Sequence, residues 1–114
     1  MKLEIKPLSV NQCWAGRRFK TPKYTTYERN LFTMLPKIKI PKPPFEISIE
    51  FGFSSIASDI DNPVKPFLDI LQKRYLFDDK LIHKLNLTRV NTKKGSEFIK
   101  WEIKTLKINV YTNK

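Results

Sequence analysis

The chain is poor in the residues that carry much of enzyme chemistry. It has one cysteine, one histidine and three glycines among 114 residues. A lone cysteine, Cys13, excludes an intramolecular disulfide and a zinc–thiolate centre, and only Arg17 and Arg18 stand near it as activators. Three glycines leave no phosphate-cradling loop. His83 falls inside an expected strand; it reads as a structural residue first and as a phosphate or partner contact second. Long apolar runs are also missing. Nothing approaches the roughly 20 residues of a membrane span, and the opening MKLEIK holds no apolar run long enough for a secretory signal. A cytoplasmic protein, with no membrane partner and no small-molecule substrate, is expected.

Acidic charge is scarce too. The chain carries 22 Lys+Arg against 11 Asp+Glu, a net charge of +11. A domain this basic usually meets a polyanion. Nucleic acid is favoured over membrane because no segment forms a clean basic amphipathic helix. A basic soluble protein without a polyanionic partner is the competing reading. The length suits a single domain spanning residues 1–114, with one modest core.

Periodicity gives an α+β fold: a mixed four-stranded sheet with two helices, in the order β-α-β-α-β-β. Leu3 and Ile5 alternate with charged residues in a short first strand. Pro7 to Lys23 shows no period and reads as a long basic loop. A helix follows, capped by Thr25 with Glu28 in a capping box, or starting earlier at Thr21 with Pro22 in its first turn. Tyr24, Tyr27, Leu31 and Met34/Leu35 share its buried face, and Pro36 ends it. Lys37 to Pro44 is a proline-stiffened basic connector. Phe45, Ile47, Ile49, Phe51 and Phe53 then alternate with Glu46, Ser48, Glu50 and Gly52, the clearest strand in the chain. A second helix presents Val64, Phe67, Leu68 and Leu71. Asp61 or Asn62 can cap it, and Pro63 suits its first turn. Pro66 would remove the first intrahelical bond if Asn62 were the cap, so the alternatives are a start one residue later or a loose first turn. The C-terminal third reads as a hairpin of about Leu81–Val90 and Glu97–Val110, joined by Asn91–Ser96. A bulge near Lys104–Thr105 would reconcile the phase of Ile99, Trp101 and Ile103 with that of Leu106, Ile108 and Val110.

Asp59, Asp61, Asp69, Asp78 and Asp79 lie within 21 positions and make up five of the 11 acidic residues. Clustered carboxylates repel, and a hard divalent cation relieves that repulsion. Asp59 and Asp61, two apart, point the same way if their segment is extended. Asp69 lies four residues after Lys65 on the second helix, so the two are neighbours. Asp78 and Asp79 follow the helix and come alongside it if the chain folds back. Magnesium, bound by one or two carboxylates with water and phosphate, would polarise a phosphodiester. Lys65 would neutralise charge on a phosphate oxygen. Plainer readings stand beside these: Asp61 and Asn62 as helix caps, Lys65–Asp69 as a surface ion pair, Asp78 and Asp79 as turn residues. A calcium loop counted from Asp59 fails, with Val64 at its sixth position and Ile70 at its twelfth.

The run Asp59-Ile60-Asp61-Asn62-Pro63-Val64-Lys65, then Asp69-Ile70-Leu71, then Asp78-Asp79, resembles the signature of RusA-type Holliday junction resolvases. Pro7-x-Ser9-x-Asn11 with Trp14 is similar to that family's opening motif. The resemblance implies a homodimer that resolves four-way DNA junctions by paired symmetric incisions with Mg2+ or Mn2+. It implies Asp59, Asp61 and Asp79 as metal-binding catalytic carboxylates with Asp78 beside them, Lys65 as the catalytic lysine, and Asn62 and Asp69 in support. Prolines on both sides of Lys65 depart from the family's pattern and bear on how that lysine is aimed. Such proteins are often found in phages and prophages. Asn11, Arg17, Arg18, Lys20, Lys23, Lys93 and Lys94 are the candidate DNA contacts, and exposed aromatics such as Phe19 or Tyr75 the candidate interface. The alternatives are a non-catalytic junction- or duplex-binding protein and a ribonuclease-like RNA-binding module, though the aromatic stacking motif of common RNA domains is missing.

Overall fold

A computed structural model describes residues 1–17 and 19–107 of the chain. Arg18, Ile108 and Val110 lie outside the described residues. The main sheet has four strands: β1 (Lys2–Leu3), β4 (Phe45–Phe53), β5 (Ile82–Asn91) and β6 (Phe98–Thr105). A small two-stranded sheet pairs β2 (Trp14–Ala15) with β3 (Phe19–Lys20), and two helices follow in order, α1 (Pro22–Met34) and α2 (Val64–Tyr75). The α+β reading and the mixed four-stranded sheet with two helices hold.

The order across the sheet is β1-β6-β4-β5. β4 is central because its phase is the most apolar: Phe45, Ile47, Ile49, Phe51 and Phe53 are all buried. It pairs in parallel with β5 and antiparallel with β6. This corrects the expected C-terminal hairpin. β5 and β6 are neighbours in sequence, but each gains more by lying against β4 than against the other. The segment between them therefore crosses the end of β4, where Thr92 N–H donates to the Phe53 carbonyl at 2.7 Å and Ser54 donates to Glu97. The expected bulge near Lys104–Thr105 is also corrected. β6 pairs in unbroken register with β4 from Phe98 to Thr105 and then stops. The one register shift lies elsewhere, where Phe45 faces Ile82 and Glu46 faces Lys84, leaving exposed His83 as the extra residue.

α1 takes the earlier of its two starts. Thr21 accepts from the Tyr24 N–H at 3.2 Å, and Pro22 occupies the first turn, where its missing N–H would have had no partner. Glu28 is thereby freed from a capping box and bonds Lys20 and Lys73 instead. Tyr24, Tyr27, Leu31 and Leu35 form the buried face, as the spacing predicts. On α2 the buried face is rotated slightly from the expected one. Phe67, Ile70 and Leu71 are fully covered, whereas Val64 and Leu68 are half-buried at its margin. Phe67 sits edge-on to both Phe51 and Trp101, docking α2 on β4 and β6. The stretch read as a long basic loop holds the β2–β3 hairpin, turned at Gly16 with φ of 74°. Tyr75 does not offer a free aromatic face. Its hydroxyl donates to the Pro36 carbonyl at 2.7 Å and its ring lies against Trp101. Phe19, 73% exposed, does.

Candidate active site

The local fold around the aspartates begins with three residues that precede α2. Val64 N–H donates to the Asp61 carbonyl at 3.1 Å, and Phe67 N–H makes the first intrahelical bond, to Pro63 at 3.3 Å. Pro66 thus falls among the first helical positions, whose N–H groups have no intrahelical partner, and it costs no bond. The later start is the observed one. Neither Asp61 nor Asn62 caps the helix, and no side chain does. Asn62 instead donates through Nδ2 to Asp59 Oδ2 at 3.3 Å, while its carbonyl accepts from Val10 N–H at 2.9 Å. That last bond joins the opening motif to the aspartate motif. Ser9 orders the opening motif by accepting from the Asn11 N–H at 3.2 Å.

Along α2, Lys65, Asp69 and Gln72 are spaced to share one face. With Asp61 ahead of them, Asp79 behind and Leu87 from β5, they line an open hollow of about 390 Å³. The chain reaches Asp79 by reversing at Leu76, which ends the helix in the left-handed conformation at φ of 58°. Gln72 fixes the result: its Oε1 accepts from the Asp79 N–H at 3.2 Å, and its Nε2 donates to the Leu68 carbonyl. The chain therefore does fold back beside the helix. Lys65 Nζ lies 3.4 Å from Asp69 Oδ1 in an ion pair whose lysine is 72% exposed. That geometry fits the surface-pair reading, and it equally leaves the ammonium free to turn to a ligand.

Not every motif residue joins this hollow. The chain bends at Ile60 and Asp61, so the extended geometry expected for Asp59 and Asp61 is corrected. Asp59 lines a second hollow of about 380 Å³ with Lys6, Ser58, Asn62 and Glu97. Among the described residues, no three acidic, histidine or cysteine side chains come close enough to hold one metal ion. Asp78 has a local partner. It caps a 3₁₀ turn by accepting from the Lys80 N–H at 2.9 Å, and that bond holds its carboxyl below the usual range, with Asp79 and Lys80 helping against partial desolvation. The turn-residue reading is met for Asp78. Cys13 is inert: burial, reinforced by the charge of Asp69, pushes its thiol up to about 11.

The basic candidates divide in the same way. Asn11, Arg17, Lys23, Lys93 and Lys94 are exposed. Lys93 and Lys94 ride on the segment crossing the end of β4, the end from which the Asp59 loop departs. Lys20 is engaged, 2.9 Å from Glu28 and over the Tyr24 ring. Two residues that hold neighbouring segments in place, Gln72 at Asp79 and Arg89 at the Ser55–Ser58 turn, were not among the candidates of the sequence. Gln72 completes the Lys65–Asp69 helical stripe and was legible from spacing. Arg89 lies in a strand, where no pattern marked it.

Asp61, Asp69 and Asp79 line one open hollow with Lys65 on a small α+β fold with a net charge of +11, the charge of a protein that meets a polyanion. Residues 7–103 match the family described as Endodeoxyribonuclease RusA, and over that span the chain belongs to the RusA endodeoxyribonuclease family. Membership implies endodeoxyribonuclease activity of the Holliday junction resolvase kind, and the family acts on branched DNA. No individual curated protein matches the sequence. Among the described residues, no helix is long and apolar enough to cross a membrane.

Proposed function

We propose that the chain is a magnesium-dependent resolvase that cuts four-way DNA junctions by paired symmetric incisions as a homodimer. The observation that carries the reading is the open hollow lined by Asp61, Lys65, Asp69 and Asp79, in a chain of this family. The donor set suits magnesium, or manganese, because all of it is oxygen and Asp59 and Asp61 are exposed. Magnesium commonly takes only one or two carboxylates from a protein, so a site need not hold three at once. Asp61 and Asp79 are the proposed ligands within the hollow, and Asp59 would have to reach it from the neighbouring segment when a cation and DNA bind; Asp78 already serves its turn.

A bound cation would polarise the scissile phosphate and favour deprotonation of water. The chain's own groups do the rest. Lys65, released from its exposed pair with Asp69, presents its ammonium to a phosphate oxygen as negative charge develops there. Asp69 holds that ammonium near the hollow until substrate arrives. Gln72 keeps Asp79 against the helix. Arg17, Lys23, Lys93 and Lys94 meet the DNA backbone, where each phosphate contact releases counterions. A dimer would present two such hollows to opposing strands.

The test uses a labelled four-way junction, a duplex and a single strand, each with magnesium or with EDTA. Symmetric nicks in the junction alone, lost with EDTA, are expected. Junction binding without cleavage would replace this reading by a non-catalytic junction-binding one, which the separation of Asp59 from Asp79 would then explain.

A further inference from the structure

The loop that carries Asp59 has little regular structure of its own. Between Ser54 and Pro63, its internal bonds among the described residues are few: Ser58 N–H to the Ser55 carbonyl at 3.3 Å, Ala57 N–H to Ser55 Oγ at 3.2 Å, and Asn62 to Asp59. Ile56 at its tip is 91% exposed, so no apolar burial anchors it there. A side chain from the neighbouring strand supplies what the loop lacks. Arg89 of β5 donates through Nη1 to the Ser58 carbonyl and through Nη2 to the Ser55 carbonyl at 2.9 Å. Its Nε donates to Asn91 Oδ1 at 3.1 Å, and its guanidinium lies 4.9 Å from the centre of the Phe53 ring. The strand itself is fixed, since Arg89 faces Phe51 in the parallel pairing with buried β4.

We infer that Arg89 is a positioning residue: it clamps the Ser55–Ser58 turn and so fixes the position of Asp59, the next residue, in the hollow that Asp59 lines with Asn62. The inference rests on the proposed function for its consequence in cleavage but not for the clamp itself. Arginine is suited to the task because its planar fork offers several donors in fixed directions, whereas a lysine ammonium is a point donor on a flexible stem. A carboxylate displaced by about 1 Å can cost on the order of a hundredfold in rate. The competing role for a half-buried cation beside such a site is a direct contact to a DNA phosphate.

The experiment compares Arg89→Lys and Arg89→Gln with the wild type, taking unchanged amide shifts in β4 and α2 as proof of folding. Backbone 15N relaxation reads the clamp directly. Order parameters at residues 55–61 should fall from near 0.85 toward 0.6 or below in both variants, while the sheet stays rigid. Order parameters that do not change overturn the clamp. Single-turnover cleavage of a four-way junction should drop about ten- to a hundredfold in both variants. The magnesium needed for half-maximal rate should rise, and junction binding in EDTA should stay within about twofold of wild type. A loosened loop with unchanged cleavage overturns the positioning role. Full activity in Arg89→Lys with weakened binding in Arg89→Gln assigns Arg89 to a phosphate contact and overturns it as well. A wild type that binds junctions without cutting them overturns the proposed function, and the order parameters alone then decide the clamp.

Discussion

Two charged clusters stand on the two helices and are built in opposite ways. On α1, Glu28 lies 2.9 Å from both Lys20 and Lys73, and its side chain is only 19% exposed. It binds β3, α1 and α2 together. On α2, Lys65 and Asp69 meet at 3.4 Å in the open, and Asp61 beside them has no side-chain partner among the described residues. Both combine lysine with carboxylate, but one cluster is saturated and the other is not. A saturated cluster contributes to stability and has nothing left to offer a ligand. An unsaturated one contributes little to folding, and its charges stay available. Stability and cleavage should therefore separate cleanly between the two.

The sharpest way to break this contrast is Asp61→Asn. Cleavage should fall on the order of a hundredfold or more, since even groups one shell out from a metal typically cost ten- to a hundredfold. The melting temperature should hold, and junction binding should survive or tighten as repulsion of phosphate is relieved. Full cleavage by this variant, read on a labelled junction, would remove Asp61 from the site. Lys65→Ala should cost about a hundredfold in the single-turnover rate at saturating enzyme, with stability changed by only a few tenths of a kcal/mol. Lys65→Arg keeps the charge but replaces a point donor by a fork, so a partial loss is expected. A wild-type single-turnover rate in Lys65→Ala would return Lys65 to the surface-pair reading.

The contrast also shows what a sequence discloses. Both helices and the central strand were legible, because each rests on local periodicity; the aspartates divide, with Asp61, Asp69 and Asp79 lining one hollow, Asp59 another, and Asp78 capping a turn. The hairpin expected from adjacent β5 and β6 was not observed, because pairing is decided by competition for β4 and a one-dimensional pattern does not encode it. The helix caps expected of Asp61 and Asn62 failed for a similar reason. The Asn62 side-chain amide turns to Asp59 instead of to the helix, while its backbone carbonyl accepts from Val10, far away in sequence. Gln72 could have been found from its helical stripe. Arg89 could not, since its partners lie on a loop more than thirty residues away, in a bend that no spacing rule foresees.

Salt dependence tests a finer division among the basic residues. Removing Arg17, Lys93 and Lys94 together should lower the slope of log binding constant against log salt by about 0.9 for each phosphate that is no longer neutralised. Removing Lys20 alone should barely move that slope, because its ammonium is already committed to Glu28. A salt slope unaltered by the triple variant would separate this surface from DNA.

The smallest expected effect is the one that defines the saturated cluster. Burial alone would raise the Glu28 carboxyl, but the bonds from Lys73 and Lys20 outweigh it and hold the group below its usual range. A depressed carboxylate contributes stability above its unfolded-state value, and that contribution is lost as pH falls through the lower, folded-state value. Glu28→Gln should therefore lower stability by about 1 kcal/mol near neutral pH, the upper part of the range for partly exposed pairs. Below about pH 4, where Glu28 takes up its proton in the unfolded chain and then in the folded one, the difference from wild type should shrink. Urea unfolding of both proteins between pH 3 and 7 would show it. A destabilisation independent of pH would mean that Glu28 acts through packing and not through charge. The cleavage rate of the same variant near neutral pH completes the comparison: it should match wild type, because Lys20 and Lys73 are freed outside the hollow and none of the groups lining that hollow loses a partner.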